Sequence, residues 1–328
     1  ERQANFDLSS FSQHLTKQGF RIETLNLANT LHIPDNVSVL VLAGPQASFL
    51  PAEVRLLEDY IKSGGNLLWL ADPLKDDAEQ PMFGLLPLSE LLGIEILNGV
   101  VVDPTTQQLG INRPDYAIIA EYPRHPLSNG FDTVTLFPQA AGIEMLPGYA
   151  VLQGKESEAE EQEASPTETK PDAESSESDS PSSLTSFTSM PLLRTVERSW
   201  IETSPVVDSV QFNDLLDITG PITIGMVLSR QINNASGSRE QRVMVIGDGD
   251  FLSNTFLGNG GNLTLGENLF NWLSHDEHFI AIPTRPRSDI RLNLSPTVLS
   301  LLGGVFLIII PLLLVISGSF IWFRRRSR

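Results

Sequence analysis

The sequence has no cysteine, which excludes disulfides, Cys-ligated zinc and a thiol nucleophile. It also lacks a G-x-S-x-G elbow that would present a serine nucleophile and a G-x-x-x-x-G-K-[ST] loop that would cradle a nucleotide. Positive charge is scarce: 22 Lys and Arg face 40 Asp and Glu, for a formal net charge of -18. Nucleic-acid binding needs clustered Lys and Arg on phosphates, so no nucleic-acid partner is expected. The chain begins with Glu1 and has no signal-like apolar stretch behind a basic start. An N-terminal segment of the parent protein is therefore expected to be missing from this chain.

What is present is enough apolar material, 41% of 328 residues, for one large or two ordinary domains. The longest apolar run, "VLSLLGGVFLIIIPLLLVISGSFIWF" (Val298–Phe323), is uncharged and is followed by "RRRSR". Its length exceeds the roughly 20 residues needed to span a bilayer, so it is expected to be a transmembrane helix. Trp322 would sit at the interface, and Arg324, Arg325 and Arg326 would form a cytoplasmic stop. Pro311 would be tolerated best where neighbouring helices pack around it, and Gly303, Gly304 and Gly318 would permit close approach. The expected location is the bacterial plasma membrane, with the bulk of the domain extracytoplasmic.

A second shift in composition divides the chain. Lys155–Ser183 carries ten acids, two lysines and no Val, Ile, Leu or aromatic residue. Such a stretch cannot offset its ordering entropy by burial, and a disordered acidic Ser/Glu-rich insert is expected. The expected organisation is an α/β domain over 1–152, the insert over 153–190 and the second part of the domain over 191–279. A linker (280–297), the membrane helix (298–323) and a basic tail (324–328) would follow.

The flanking parts alternate strand and helix signals. "VSVLVLAG" is a buried strand, "PAEVRLLEDYIKSGG" is a helix started by Pro51 and stopped by Gly64, and "NLLWLADP" is a second buried strand. Together they make a parallel crossover unit. "FSQHLTKQGFRIETLNL" predicts a helix, a glycine stop and a strand, and "SELLGIEILNGVVVDP" a short helix and two strands. "ITIGMVL" and "RVMVIGD" supply two more strands that complete the first sheet, and "LGENLFNWLSHDE" a closing helix with Leu265, Leu269, Trp272 and Leu273 on one side. The expected fold is an open, mostly parallel α/β sheet.

Ligands of open α/β sheets bind beyond the carboxyl ends of strands. Asp72 ends "NLLWLA" and Asp248 ends "VMVI" in "RVMVIGDGDFLSN". If those strands are parallel neighbours, Asp72, Asp248 and Asp250 meet on one rim, with Asn254 nearby. Three carboxylates can hold Mg²⁺ or Ca²⁺ through hard oxygen ligands. The alternative is that each Asp caps a turn and Gly249 supplies an unusual φ. "HDEH" (His275–His278) is read as charged residues at a helix end rather than a metal site, and "GNGGN" (Gly258–Asn262) as a flexible loop. No cofactor and no metal is expected.

The order of "HIPDNVSVLVLAGPQASFLPAEVRLLEDYIKSGGNLLWLADP", "GVVVDP", "MPLLRTVERSWIET", "GPITIGMVL", "RVMVIGDGDFLSN" and "ENLFNWLSHDEHFIAIPTRP" resembles the auxiliary component of gliding-motility-type ABC transport systems. The resemblance implies a glutamine-amidotransferase-like α/β fold and partnership with an ABC permease and a cytoplasmic ATPase. That fold would ordinarily carry a cysteine nucleophile, which this chain lacks. The implied function is a non-catalytic extracytoplasmic auxiliary subunit that docks on the permease and binds a ligand at the sheet rim. The alternative is a membrane-anchored, metal-dependent hydrolase or carbohydrate-active enzyme using Asp72, Asp248 and Asp250.

Overall fold

The computed structural model describes residues 5–74, 81–111, 113–147, 187–204, 210–234 and 237–275, together with Pro311, Leu312, Gly318, Trp322, Arg324 and Arg326. The chain divides into two compact units, Glu1–Phe279 and Ile280–Arg328, and the architecture is that of the first. Its elements in chain order are α1 (Ser9–Lys17), β1 (Leu40–Ala43), α2 (Pro51–Lys62), β2 (Leu67–Leu70), α3 (Leu86–Leu92), β3 (Ile94–Ile96), β4 (Val100–Val102), β5 (Tyr116–Ile119), β6 (Thr135–Pro138), β7 (Ile143–Met145), β8 (Thr188–Arg194), β9 (Trp200–Glu202), β10 (Ile218–Thr219), β11 (Thr223–Asn234), β12 (Gly237–Ile246) and α4 (Asn262–Leu273).

The main sheet has the order β1-β2-β12-β11-β8. β2 lies between β1 and β12 and is parallel to both, with Leu68 opposite Val41 and Met244. β11 is antiparallel to β12 and to β8. Residues on either side of the Lys155–Ser183 stretch thus share one sheet, and β8 already begins at Thr188. The stretch itself lies outside the described residues. Smaller antiparallel pairings join β3 with β7, β5 with β6, and β10-β9-β4.

Alternation along β2 and β12 explains why both faces are covered. Leu68, Leu70, Met244 and Ile246 join the core with Phe11 and Leu15 of α1 and Leu265, Leu269 and Trp272 of α4. Leu67, Trp69, Val243 and Val245 join the opposite core with Val54, Leu57 and Ile61 of α2 and Leu88 and Leu92 of α3. Successive side chains point to opposite faces, so a continuous apolar run buries both. Pro51 opens α2, Glu53 Oε2 accepts from the Leu50 N–H, and Gly64 follows the helix at φ +95°.

Polar side chains of β11 and β12, with Asn66 just before β2, hold two helix ends. Gln241 donates to the carbonyls of Ile61 and Gly65, and Arg230 also donates to Ile61. Arg242 donates to the carbonyl of Trp272, and Asn66 to that of Leu273. Carbonyls in the last turn of a helix have no intrahelical partner and need such donors when buried.

Three expectations are corrected. First, the sheet is mixed and not mostly parallel, because β11 and β12 form a hairpin in which Asn234 faces Gly237. A connection this short reverses the chain, whereas a parallel pair needs a long crossover. Second, the strand expected after Gly19 is absent: residues 20–26 are irregular and lead to a short 3₁₀ turn at Leu27–Asn29.

Third, the C-terminal transmembrane helix, and with it the plasma-membrane localisation with an extracytoplasmic domain, is not what the described residues hold. Among them no helix is long and apolar enough to cross a membrane. The longest, α2 and α4, have 12 residues each, about 18 Å at 1.5 Å per residue and short of a roughly 30 Å hydrocarbon core. Of Val298–Phe323 only Pro311, Leu312, Gly318 and Trp322 are described, and Gly303, Gly304 and Arg325 lie outside the described residues.

Candidate functional site

Because β1, β2 and β12 run parallel, the residues that follow them share one edge of the sheet: Gly44, Asp72 and Asp248. Asp72 Oδ1 accepts from the Gly249 N–H at 3.0 Å, which joins the loops after β2 and β12. Two glycines allow this approach. A Cβ on Gly249 would lie 2.5 Å from Asp72 Oδ1 and 3.0 Å from the Gly44 Cα. Gly249 is not among the positive-φ glycines, so it is required for space and not for the unusual φ that the sequence suggested. Gly44, which the sequence reading passed over, has φ +45°. The signal for it was a glycine directly after an apolar strand.

Asp248 is 1% exposed. Its Oδ1 accepts from the N–H groups of Asp250 (2.7 Å) and Phe251 (3.1 Å) and shapes the turn, while Oδ2 is buried without a hydrogen-bond partner. Burial pushes this carboxyl well above the usual carboxylate range. Repulsion from Asp250 and Asp72 adds to the rise, and the two amide donors oppose it. Asp250 is also raised, by burial and then by Asp72. The three acids therefore do share a rim. Yet among the described residues no group of three or more His, Cys, Asp or Glu is arranged to hold a metal ion.

The sign of the resulting pH dependence follows from linkage. The folded state holds a proton on Asp248 that the unfolded state releases near pH 4, so stability falls as pH rises from there towards the raised folded value. Asp248→Asn keeps an oxygen for the two amides and removes the charge. It should raise Tm at neutral pH, by about 2–4 °C for each kcal/mol gained, and the gain should shrink towards pH 4. Thermal melts from pH 4 to 8 check this; a lower Tm at pH 7 would mean that the ionised carboxylate is the stabilising form.

Asn254 is brought close in sequence but serves elsewhere. Its Oδ1 accepts from the Ser10 N–H at the start of α1, and its Nδ2 donates to Asp7 Oδ1 and Ser9 Oγ. It fastens the N-terminal helix to the loop after β12. His275 follows the C-terminal end of α4 at φ +59°, while Asp276, Glu277 and His278 lie outside the described residues. "GNGGN" forms turns that lead into α4, where buried Asn262 donates to the carbonyls of Leu136, Phe251 and Phe256.

Beside the rim, and missed by the sequence reading, is a small cleft lined by Trp69 and Asp72 and by the apolar side chains of Pro45, Leu74, Met82 and Phe83 among others. Trp69 reads in sequence as an ordinary core residue of "NLLWLADP". Only the tertiary structure shows that its indole is buried with Nε1 unpartnered.

This edge, with its turn-forming acids and no cysteine, belongs to the N-terminal half of the chain through Gly44 and Asp72. Residues 3–155 match the family model of an ABC-type uncharacterized transport system, ABC_transp_aux. The match supports an auxiliary role in an ABC-type transport system. It covers just under half of the 328 residues. No curated protein matches the chain. Among solved structures, the "mmIFT52 N-terminal domain" is 16% identical, with 82% of this chain and 91% of that chain covered at a TM-score of 0.49. A thua-like protein from Bacteroides uniformis is 16% identical, with 81% and 82% covered at a TM-score of 0.40. Neither likeness speaks to function.

Proposed function

We propose that this chain is a non-catalytic auxiliary subunit of an ABC-type transport system, docking on a permease that works with a cytoplasmic ATPase. The observation that carries the reading is the family match over residues 3–155. The chemistry of the sheet edge is consistent with it. An amidotransferase-like mechanism needs a thiol, and the chain has no cysteine. Asp248, the most buried acid at the rim, has one oxygen engaged by two backbone amides, and burial favours its neutral form. A neutral, turn-forming carboxyl is a poor nucleophile and a poor metal ligand.

The test is affinity purification of the full chain from detergent extracts of its native cells, with the co-purifying proteins identified by mass spectrometry. A permease and an ATPase should be enriched together over an untagged control. Their absence from extracts in which both are present would overturn the reading.

A further inference from the structure

His125 closes a turn with its own ring. It caps the 3₁₀ turn Pro126–Ser128, where its Nδ1 accepts from the Leu127 N–H at 3.2 Å and its backbone N–H donates to Ser128 Oγ at 3.1 Å. A nitrogen that accepts carries no proton, so the neutral ring holds its proton on Nε2. The turn is tied to α4. Leu127 is 1% exposed and shares a core with Leu265 and Leu269, and Asn268 Nδ2 donates to the Leu127 carbonyl at 3.0 Å.

A positive charge on this ring meets poor surroundings. The imidazole is half-buried and packs edge to face on the Trp272 ring at 5.2 Å, and the Arg242 guanidinium lies 5.1 Å from the centre of that same ring. Arg242 is fixed there, because it donates to the Trp272 carbonyl at 2.8 Å and to Glu240 Oε2 at 2.7 Å. Burial, and then Arg242, hold the His125 pKa below the usual histidine range, and Glu240 opposes them. The Glu240 carboxylate is already engaged by Arg242. α4 has one ionisable side chain, Glu267, which pairs with His14, and His275 follows the helix end. On the segment of His125 itself, Glu121 and Arg124 are exposed.

We propose that His125 is an acid-sensitive latch: a proton taken up at Nδ1 sets two N–H donors against each other at Leu127 and frees the 125–128 turn from α4. The direction follows from linkage. The closed turn binds the proton more weakly than the open one, in which histidine titrates near pH 6.5. The latch is therefore closed above that value and opens as pH falls through the lowered value of the closed form. It does not depend on the transporter reading: failure to co-purify a permease would leave the turn as it is, and a turn indifferent to pH would leave docking as it is.

Hydrogen exchange of the purified full chain tests this, read by mass spectrometry for peptides covering residues 123–131 and corrected for the intrinsic pH dependence of exchange. Protection there should fall several-fold between pH 8 and pH 5. The ceiling is about thirtyfold, set by the roughly 1.5 pH units between pH 5 and the ordinary histidine value. Peptides of β2 and β12 should lose no protection over the same range. His125→Asn is the decisive variant, since its Oδ1 can accept from the Leu127 N–H and cannot take up the proton. It should keep the turn closed at both pH values. If that variant does not fold, titration of the His125 ring by NMR in the parent chain replaces it, with a midpoint below pH 6.5 expected. The proposal is overturned by protection at 123–131 that is unchanged with pH, that falls equally in His125→Asn, or that falls together with β2 and β12. A ring midpoint at or above pH 6.5 would overturn it as well.

Discussion

Phe251→Ala should destabilise the folded chain by about 3–5 kcal/mol, the range for deleting a buried aromatic ring. The ring is fully buried and lies 5.0 Å from that of Phe137, in the same core as Leu265, Leu269 and Trp272. The backbone around it has little freedom to close the cavity. The Phe251 N–H is held by Asp248 Oδ1, and its carbonyl accepts from Asn262 Nδ2. A site that cannot collapse loses the packing of the ring and keeps the void, which places the cost in the upper part of the range. Asp250→Asn is the contrast. Asp250 is only partly buried, and its contribution to the turn is its backbone N–H, which the substitution leaves in place. It should change stability by less than about 1 kcal/mol. Denaturant titration of the two variants ranks them, and a larger loss from Asp250→Asn would show that the carboxylates of the motif matter more than the packing beneath it.

Gly247→Ala is also expected to destabilise the fold, for a different reason. A Cβ at this position would lie 2.1 Å from the carbonyl oxygen of Ala141 and 2.9 Å from its carbonyl carbon. Those are backbone atoms and cannot swing aside as a flexible side chain would. The Ala141 N–H also donates to the Gly247 carbonyl at 2.6 Å, and the Gly247 N–H to that of Ile224 at 2.8 Å. Relief of the clash must therefore stretch one of these bonds or displace the end of β12, with an overpacking cost of about 1–3 kcal/mol or more. Gly258→Ala is the control, because nothing lies within 4 Å of its added methyl. Thermal melts should show Gly247→Ala well below the parent chain and Gly258→Ala close to it. Equal melting temperatures for the two would mean that the approach at Ala141 is not a constraint.

Asp72, Asp248 and Asp250 were legible as a group because an acid after an apolar strand sits at the strand's carboxyl end, and two such strands run side by side. What each acid does there was not legible. Asp248 makes the turn through Oδ1 while its other oxygen goes unpaired, and Asn254 turns to α1 and leaves the rim. Those outcomes depend on which neighbours fold against each side chain, and no local pattern contains them. The cleft at Trp69 was hidden for the same reason: its walls come from segments distant in sequence, and its distinguishing feature is a missing partner.

Local sequence by itself determined the elements that short-range physics governs. Pro51 and Gly64 bound α2, apolar runs of strand length became β1, β2 and β12, and the stripe of Leu265, Leu269 and Trp272 became the buried face of α4. Only the tertiary structure decided the direction of β11, since a short connection and a long crossover can join equally apolar strands and the difference lies in where the second strand pairs. It alone also decided that Gly247 and Gly249 are needed for space, because the atoms that exclude a Cβ, those of Ala141, Asp72 and Gly44, arrive from other parts of the chain.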